Sequence, residues 1–124
     1  STTIDCSYAN YKGGSGGTAN CAASGGFLDV GAESPKGDGK WGHADLTGNV
    51  YEVTIDWYPA SGGRFDGYTP TCVDCADLAT APSRVILGSA AWGKAGSSLA
   101  VSARNMDAPT NRSPDIGVRC ARRP

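Results

Sequence analysis

Residues 41–58 read WGHADLTGNVYEVTIDWY, and this stretch decides the fold. From Tyr51 onward it alternates: Tyr51, Val53, Ile55 and Trp57 fall on one side, and Glu52, Thr54 and Asp56 on the other. A period of two in aromatic and β-branched residues predicts a half-buried β-strand. Just before it, residues 45–49 (Asp-Leu-Thr-Gly-Asn) form a turn-prone loop, in which Gly48 and Asn49 let the backbone double back. Asp45 and Glu52 bracket that turn with two carboxylates. Hard carboxylate oxygens combined with backbone carbonyls in one short loop suit Ca2+, which takes six to eight oxygens in a flexible shell. On its own, the spacing is equally that of an aspartate capping a turn and a glutamate on a solvated strand face.

The blocks that follow repeat a known order. The segment D-L-T-G-N-V-Y-E-V-x-x-D-W-Y resembles the G-N-V-W-E-W-x-x-D-W core of the formylglycine-generating enzyme (sulfatase-modifying factor) family. Residues 84–89 are similar to its R-V-x-R-G-G-S, residues 102–105 to its R-x-A-x-R, and residues 116–122 to its closing G-F-R-C-A. The order holds from about residue 26 to residue 123, which corresponds to the C-terminal half of the family's catalytic domain. The resemblance implies a C-type-lectin-like fold: mixed α+β, rich in loops, with short antiparallel strands and little helix. It also implies a calcium site on Asp45, Gly48, Val50 and Glu52, the two carboxylates being those singled out above.

The resemblance speaks against the parent chemistry. Active members carry a copper-binding cysteine pair after the R-V-x-R-G-G-S block, soft thiolates being suited to Cu(I). Here the matching residues 90–98 contain no cysteine, and Ser89 replaces a motif glycine. Related enzymes with a three-histidine iron site need more than His43, the single histidine, and nothing orders His43 into a catalytic triad. The expectation is a chain that is not an enzyme. Its candidate ligand face is Trp92, Lys94, Arg104, Asn105, Asp107, Asn111 and Arg112, at the positions where the family holds substrate and where its hypervariable ligand-binding relatives diversify. Expected partners are a glycan, a protein ligand, or copies of the chain in a homo-oligomer or filament; the half-length domain motivates self-association, since exposed apolar area tends to be covered.

Composition bounds the rest. At 124 residues the chain is read as one domain, an irregular N-terminal arm over residues 1–25 and a core over residues 26–124. Eighteen glycines and seven prolines predict turns, and three Trp and five Tyr against two Phe suggest a core anchored on large amphipathic rings. Eleven basic and twelve acidic residues nearly cancel, so no basic field favours nucleic acid. No apolar run approaches the ~20 residues that cross a bilayer.

Cysteines at 6, 21, 72, 75 and 120 in so small a chain predict an oxidising compartment, secreted or cell-surface, with disulfides. Cys6 with Cys21 would close the glycine-rich arm. The pairing of Cys72, Cys75 and Cys120 stays open. Zinc at the Cys72–Cys75 pair lacks a second ligand pair, and a thioredoxin-like role lacks a βαβ setting. Residues 59–82 are expected to be a long loop, stapled by that pair. Further strands are expected at residues 27–30, 84–92, 99–103 and 117–121, with a polar loop over residues 105–115.

Overall fold

A computed structural model describes residues 4–13, 21–22, 26–59, 76–92 and 97–120. Among the described residues four strands make one sheet: β1 (Tyr51–Trp57), β2 (Arg84–Leu87), β3 (Arg104–Asp107) and β4 (Ile116–Val118), in the spatial order β3-β2-β1-β4. β2 pairs antiparallel with both β1 and β3, whereas β4 runs parallel to β1. The sheet is therefore mixed, not wholly antiparallel. The one helical element among the described residues is a 3-10 turn at Ser97–Leu99, and no helix there is long and apolar enough to cross a membrane.

β1 takes the predicted span, but its alternation is broken. Val53 faces Ile86 and Trp57 faces Arg84, so four steps along β1 match two along β2. The extra residues form a bulge, which bends the strand and re-aims its side chains. Ile55 is thereby turned out to solvent. The bulge satisfies its own polar groups: the Asp56 amide donates to Thr54 Oγ1 (3.2 Å), the Thr54 hydroxyl donates to the Val85 carbonyl (3.2 Å), and Arg84 donates to the Ile55 carbonyl.

Two expected strands are corrected. Residues 99–103 hold the end of the 3-10 turn and a bend, and the strand lies just beyond, at Arg104–Asp107, where a polar loop was expected. Its residues are largely exposed because β3 is a sheet edge, so pairing with β2 and not an apolar pattern defines it. Residues 27–30 form no strand. β2 stops at Leu87, where Gly88 takes φ +73°, a left-handed conformation that glycine adopts freely. Cys72, Cys75, Lys94 and most of the 59–82 loop lie outside the described residues.

The core is built from small residues. Ala9, Tyr11 and Leu99 cluster with Cys21 against them, and Val85, Ile86, Ala90 and Ala91 are also buried. Among the described residues Tyr11 is the one fully buried ring; its hydroxyl donates to the Ile4 carbonyl at 2.8 Å. Tyr8, Tyr51, Trp57 and Tyr58 are half-buried, whereas Trp41 lies 78% exposed beneath the Lys40 ammonium.

The arm is held covalently and by a buried amide pair. Cys6 and Cys21 form a disulfide with Cα atoms 5.1 Å apart, while Cys120 is free and exposed. Reducing conditions, or Cys6→Ser with Cys21→Ser, are expected to cost about 2–3 kcal/mol for a loop of this length. A urea melt reads this directly; an unchanged midpoint would mean the arm is held by packing alone. Asn10, 1% exposed, donates to the Gly26 carbonyl and to Asn49 Oδ1 (both 3.0 Å) and accepts from the Ala22 amide at 3.2 Å. The arm thus locks onto the turn that precedes β1.

Candidate functional site

Two depressions flank the sheet. The first, about 290 Å³, is lined by all four residues of the expected calcium set, Asp45, Gly48, Val50 and Glu52. The turn that brings them together contains two residues in left-handed conformations, Asp45 (φ 55°) and Asn49 (φ 61°), with Gly48 (φ 80°) between. Asp and Asn tolerate this region better than other side chains. Asp45 Oδ2 accepts from the Gly31 amide at 2.6 Å, which fixes the carboxylate on the preceding loop.

The sequence reading missed Arg119. Parallel pairing of β4 with β1 sets Gly117 beside Glu52, and the chain then delivers Arg119 to the same spot. Its Nε and Nη2 donate to Glu52 Oε1 at 2.8 and 2.5 Å, and Nη2 also donates to the Asp45 carbonyl at 2.9 Å. The Glu52 hydrogen bond raises the guanidinium's pKa further, against the smaller opposing effect of burial. Both side chains remain partly solvated, at 35% and 20% exposure, so this pair contributes about 1 kcal/mol or less. The motif arginine of the closing G-V-R-C was a signal, but nothing local to it names Glu52 as its partner. Glu33 senses the same field: burial, then repulsion from Asp45 and Asp5, hold its carboxyl above the usual range.

The donor set fits a hard cation in type. Each carboxylate commits one oxygen, and Asp45 Oδ1 and Glu52 Oε2 have no hydrogen-bond partner among the described residues. No three His, Cys, Asp or Glu side chains converge among those residues, so carbonyls and water would have to complete a calcium shell. Arg119 places a competing positive charge beside it.

The second depression, about 330 Å³, gathers Asp107, Asn111 and Arg112 from the expected ligand face, together with Arg84. Val53, Ile86 and Ile116 line it as well, giving an apolar floor under a polar rim. The rim is a self-bonded loop. Asp107 accepts from the Ala108 amide (2.7 Å) and from Asn111 Nδ2 (2.8 Å), and Arg112 donates to the carbonyls of Asn111 (2.8 Å) and Pro109 (3.2 Å). Arg84 lies across the sheet from Asp107, its guanidinium 3.6 Å from the Trp57 ring centre.

The rest of the expected face does not join them. Arg104 turns back onto the carbonyls of Val101 and Ala103, and Asn105 accepts from the Met106 amide; both lie on β3 outside this depression. Trp92 meets Phe27 edge-on, ring centres 4.9 Å apart. Nothing local to the R-V-I-L-G-S block marks Arg84 as a binding residue, because Val53, Asp107 and Ile116 reach the depression from three other strands.

The comparisons agree with this architecture. Treponema denticola variable protein 1 is a similar solved structure: TM-score 0.59, 25% identity, covering 90% of this chain and 34% of its own. The chain therefore spans about a third of that protein's length. No curated protein shows significant sequence similarity. The family model described as "sulfatase-modifying factor enzyme 1-like domain" matches residues 5–124, beginning inside the N-terminal arm. With that match over nearly the whole chain, the protein belongs to the sulfatase-modifying factor enzyme 1-like domain family.

Proposed function

We propose that this chain is a non-catalytic ligand-binding module of an extracellular protein, a C-type-lectin-like variant of the family fold, steadied by its disulfide and by calcium. The observation that carries the reading is the convergence of Asp107, Asn111 and Arg112 on one apolar-floored depression beside the sheet. A concave, mostly apolar site with a few placed polar groups is what small-ligand recognition uses. The lack of cysteine in residues 90–98 argues for binding without oxidation chemistry. Titration of 15N-labelled protein with glycan and peptide panels tests the module. Shifts confined to residues around the depression support it, and panels that perturb only other surfaces overturn it.

Calcium, when bound, would supply a fixed positive charge shared by Asp45, the carbonyls of Gly48 and Val50, and Glu52, tying the turn to β1. At a hundredfold excess over its Kd, calcium is expected to add about 2.7 kcal/mol of stability. Asp45→Asn should remove most of that gain. Neutralising the field at Asp45 should also lower the titration midpoint of Glu33. Melts in calcium and in chelator measure the first effect. Superimposable melts would leave Arg119 as the cation these acids use and would retire the metal.

A second reading, a subunit that assembles with copies of itself, draws on the edge strand β4. Val118 there and Val30 beside it are 77% and 89% exposed. Light scattering decides it: a monomer at high concentration with and without calcium removes this alternative.

A further inference from the structure

We infer that the depression beside the sheet selects a carboxylate carried on an apolar body, with Arg84 and Arg112 as the paired anion anchors. This rests on the ligand-binding reading above and names the chemistry of that same site. Two arginines, Arg84 and Arg112, and one aspartate, Asp107, line it. Asp107 is already committed, since each of its oxygens accepts a hydrogen bond from its own loop. Neither arginine forms an ion pair with it: the one ion pair among the described residues is Arg119 with Glu52. Two arginines thus line one concavity, and neither has an anionic partner among the described residues.

Their remaining donors point the argument toward a carboxylate. Arg112 uses one terminal nitrogen, Nη1, on carbonyls of its own loop, so its Nε and Nη2 have no partner among the described residues. Arg84 likewise uses Nη1, on the Ile55 carbonyl, and its guanidinium carbon lies 3.6 Å from the Trp57 ring centre. A guanidinium with a free edge of two N–H groups matches the two oxygens of a carboxylate. Val53, Ile86 and Ile116 form the floor, and they offer no hydrogen-bonding side-chain atoms to a sugar's hydroxyls. An apolar acid therefore fits better than a sugar acid, and a volume near 330 Å³ is at the small end of ligand sites. A free apolar acid and a peptide C-terminus ending in an apolar residue share this chemistry.

The test uses the whole chain and five probes: 3-phenylpropionate, its primary amide, N-acetyl-L-phenylalanine, the amide of that compound, and N-acetylneuraminate. Binding is followed by 1H–13C shifts of the Val53, Ile86 and Ile116 methyl groups. The acids are expected to bind at least about tenfold more tightly than their amides, as a charge-assisted hydrogen bond commonly provides. Arg112→Gln should erase that preference, with other spectral changes confined to its own loop, where it donates to the Pro109 and Asn111 carbonyls. Arg84→Lys, which keeps the charge but loses the fork, should weaken it severalfold. Tighter binding of N-acetyl-L-phenylalanine than of 3-phenylpropionate assigns the peptide terminus as source; the reverse assigns a free acid.

Amides that match the acids at these methyls would overturn the carboxylate assignment and leave the ligand-binding reading intact. N-acetylneuraminate binding as tightly as the apolar acids would overturn the apolar-body assignment. No shift at these methyls with any probe, together with panels that perturb only other surfaces, would overturn both.

Discussion

Gly48→Ala is expected to lose about 4 kcal/mol or more of stability, enough to leave much of the chain unfolded at physiological temperature. A Cβ at this position would lie 2.4 Å from the Asn10 carbonyl oxygen and 3.1 Å from the Asn10 nitrogen and carbonyl carbon. These are backbone atoms, so no side-chain rotation relieves the overlap. Asn10 cannot retreat either: it pairs with Gly48 in an isolated bridge, and its carbonyl accepts from the Asn49 amide at 2.8 Å. The positive φ adds its own cost. Gly42→Ala is the control, because Gly42 has φ +75° but nothing within 4 Å of the added carbon. It should cost only the conformational part, about 1–2 kcal/mol. Melting curves of the two variants isolate the contact. Equal melting temperatures would show that the arm does not sit against the turn.

Asn49 is expected to follow closely. Its Oδ1 accepts from Asn10 Nδ2 (3.0 Å) and from the Leu28 amide (2.9 Å), and its Nδ2 donates to the Leu28 carbonyl (3.0 Å). One side chain thus joins the arm, the 27–30 segment and the turn. Asn49→Ala removes three part-buried hydrogen bonds and strains a left-handed backbone, for an expected loss of about 4 kcal/mol. Asn49→Gly keeps the backbone freedom and loses only the bonds, so it should recover about 1 kcal/mol of that. Chemical denaturation of the pair separates the two contributions. A glycine variant as stable as the parent would mean that water replaces the side chain at no cost.

These two residues also show what local reading captures. Gly48-Asn49 was legible as a turn from residue type alone. That the turn is the anchoring point of the arm was not, since Asn10 lies 39 residues away from Asn49. The strand at Tyr51–Trp57 was legible because alternation is a property of the backbone itself. Its bulge was not: a bulge is a mismatch between two strands, and it appears only once β2 is laid beside β1. β3 was misplaced for a related reason. Its four residues, Arg-Asn-Met-Asp, carry no apolar period, and an edge strand with exposed faces needs none.

The candidate sites divide the same way. The sequence by itself determined the family, through four blocks in order, the acid pair at Asp45 and Glu52, and the polar run holding Asp107, Asn111 and Arg112. It also pointed to the Cys6–Cys21 closure. Only the tertiary structure decided which of these residues meet. Parallel pairing of β4 set Arg119 on Glu52, 67 residues distant in the chain. Antiparallel pairing of β2 with β3 set Arg84 across from Asp107, and Trp92 meets Phe27 instead of joining them. Local sequence encodes which way a side chain leaves the backbone; which charges become neighbours depends on strand order, direction and register, and these are fixed by burying the whole set of apolar faces at once.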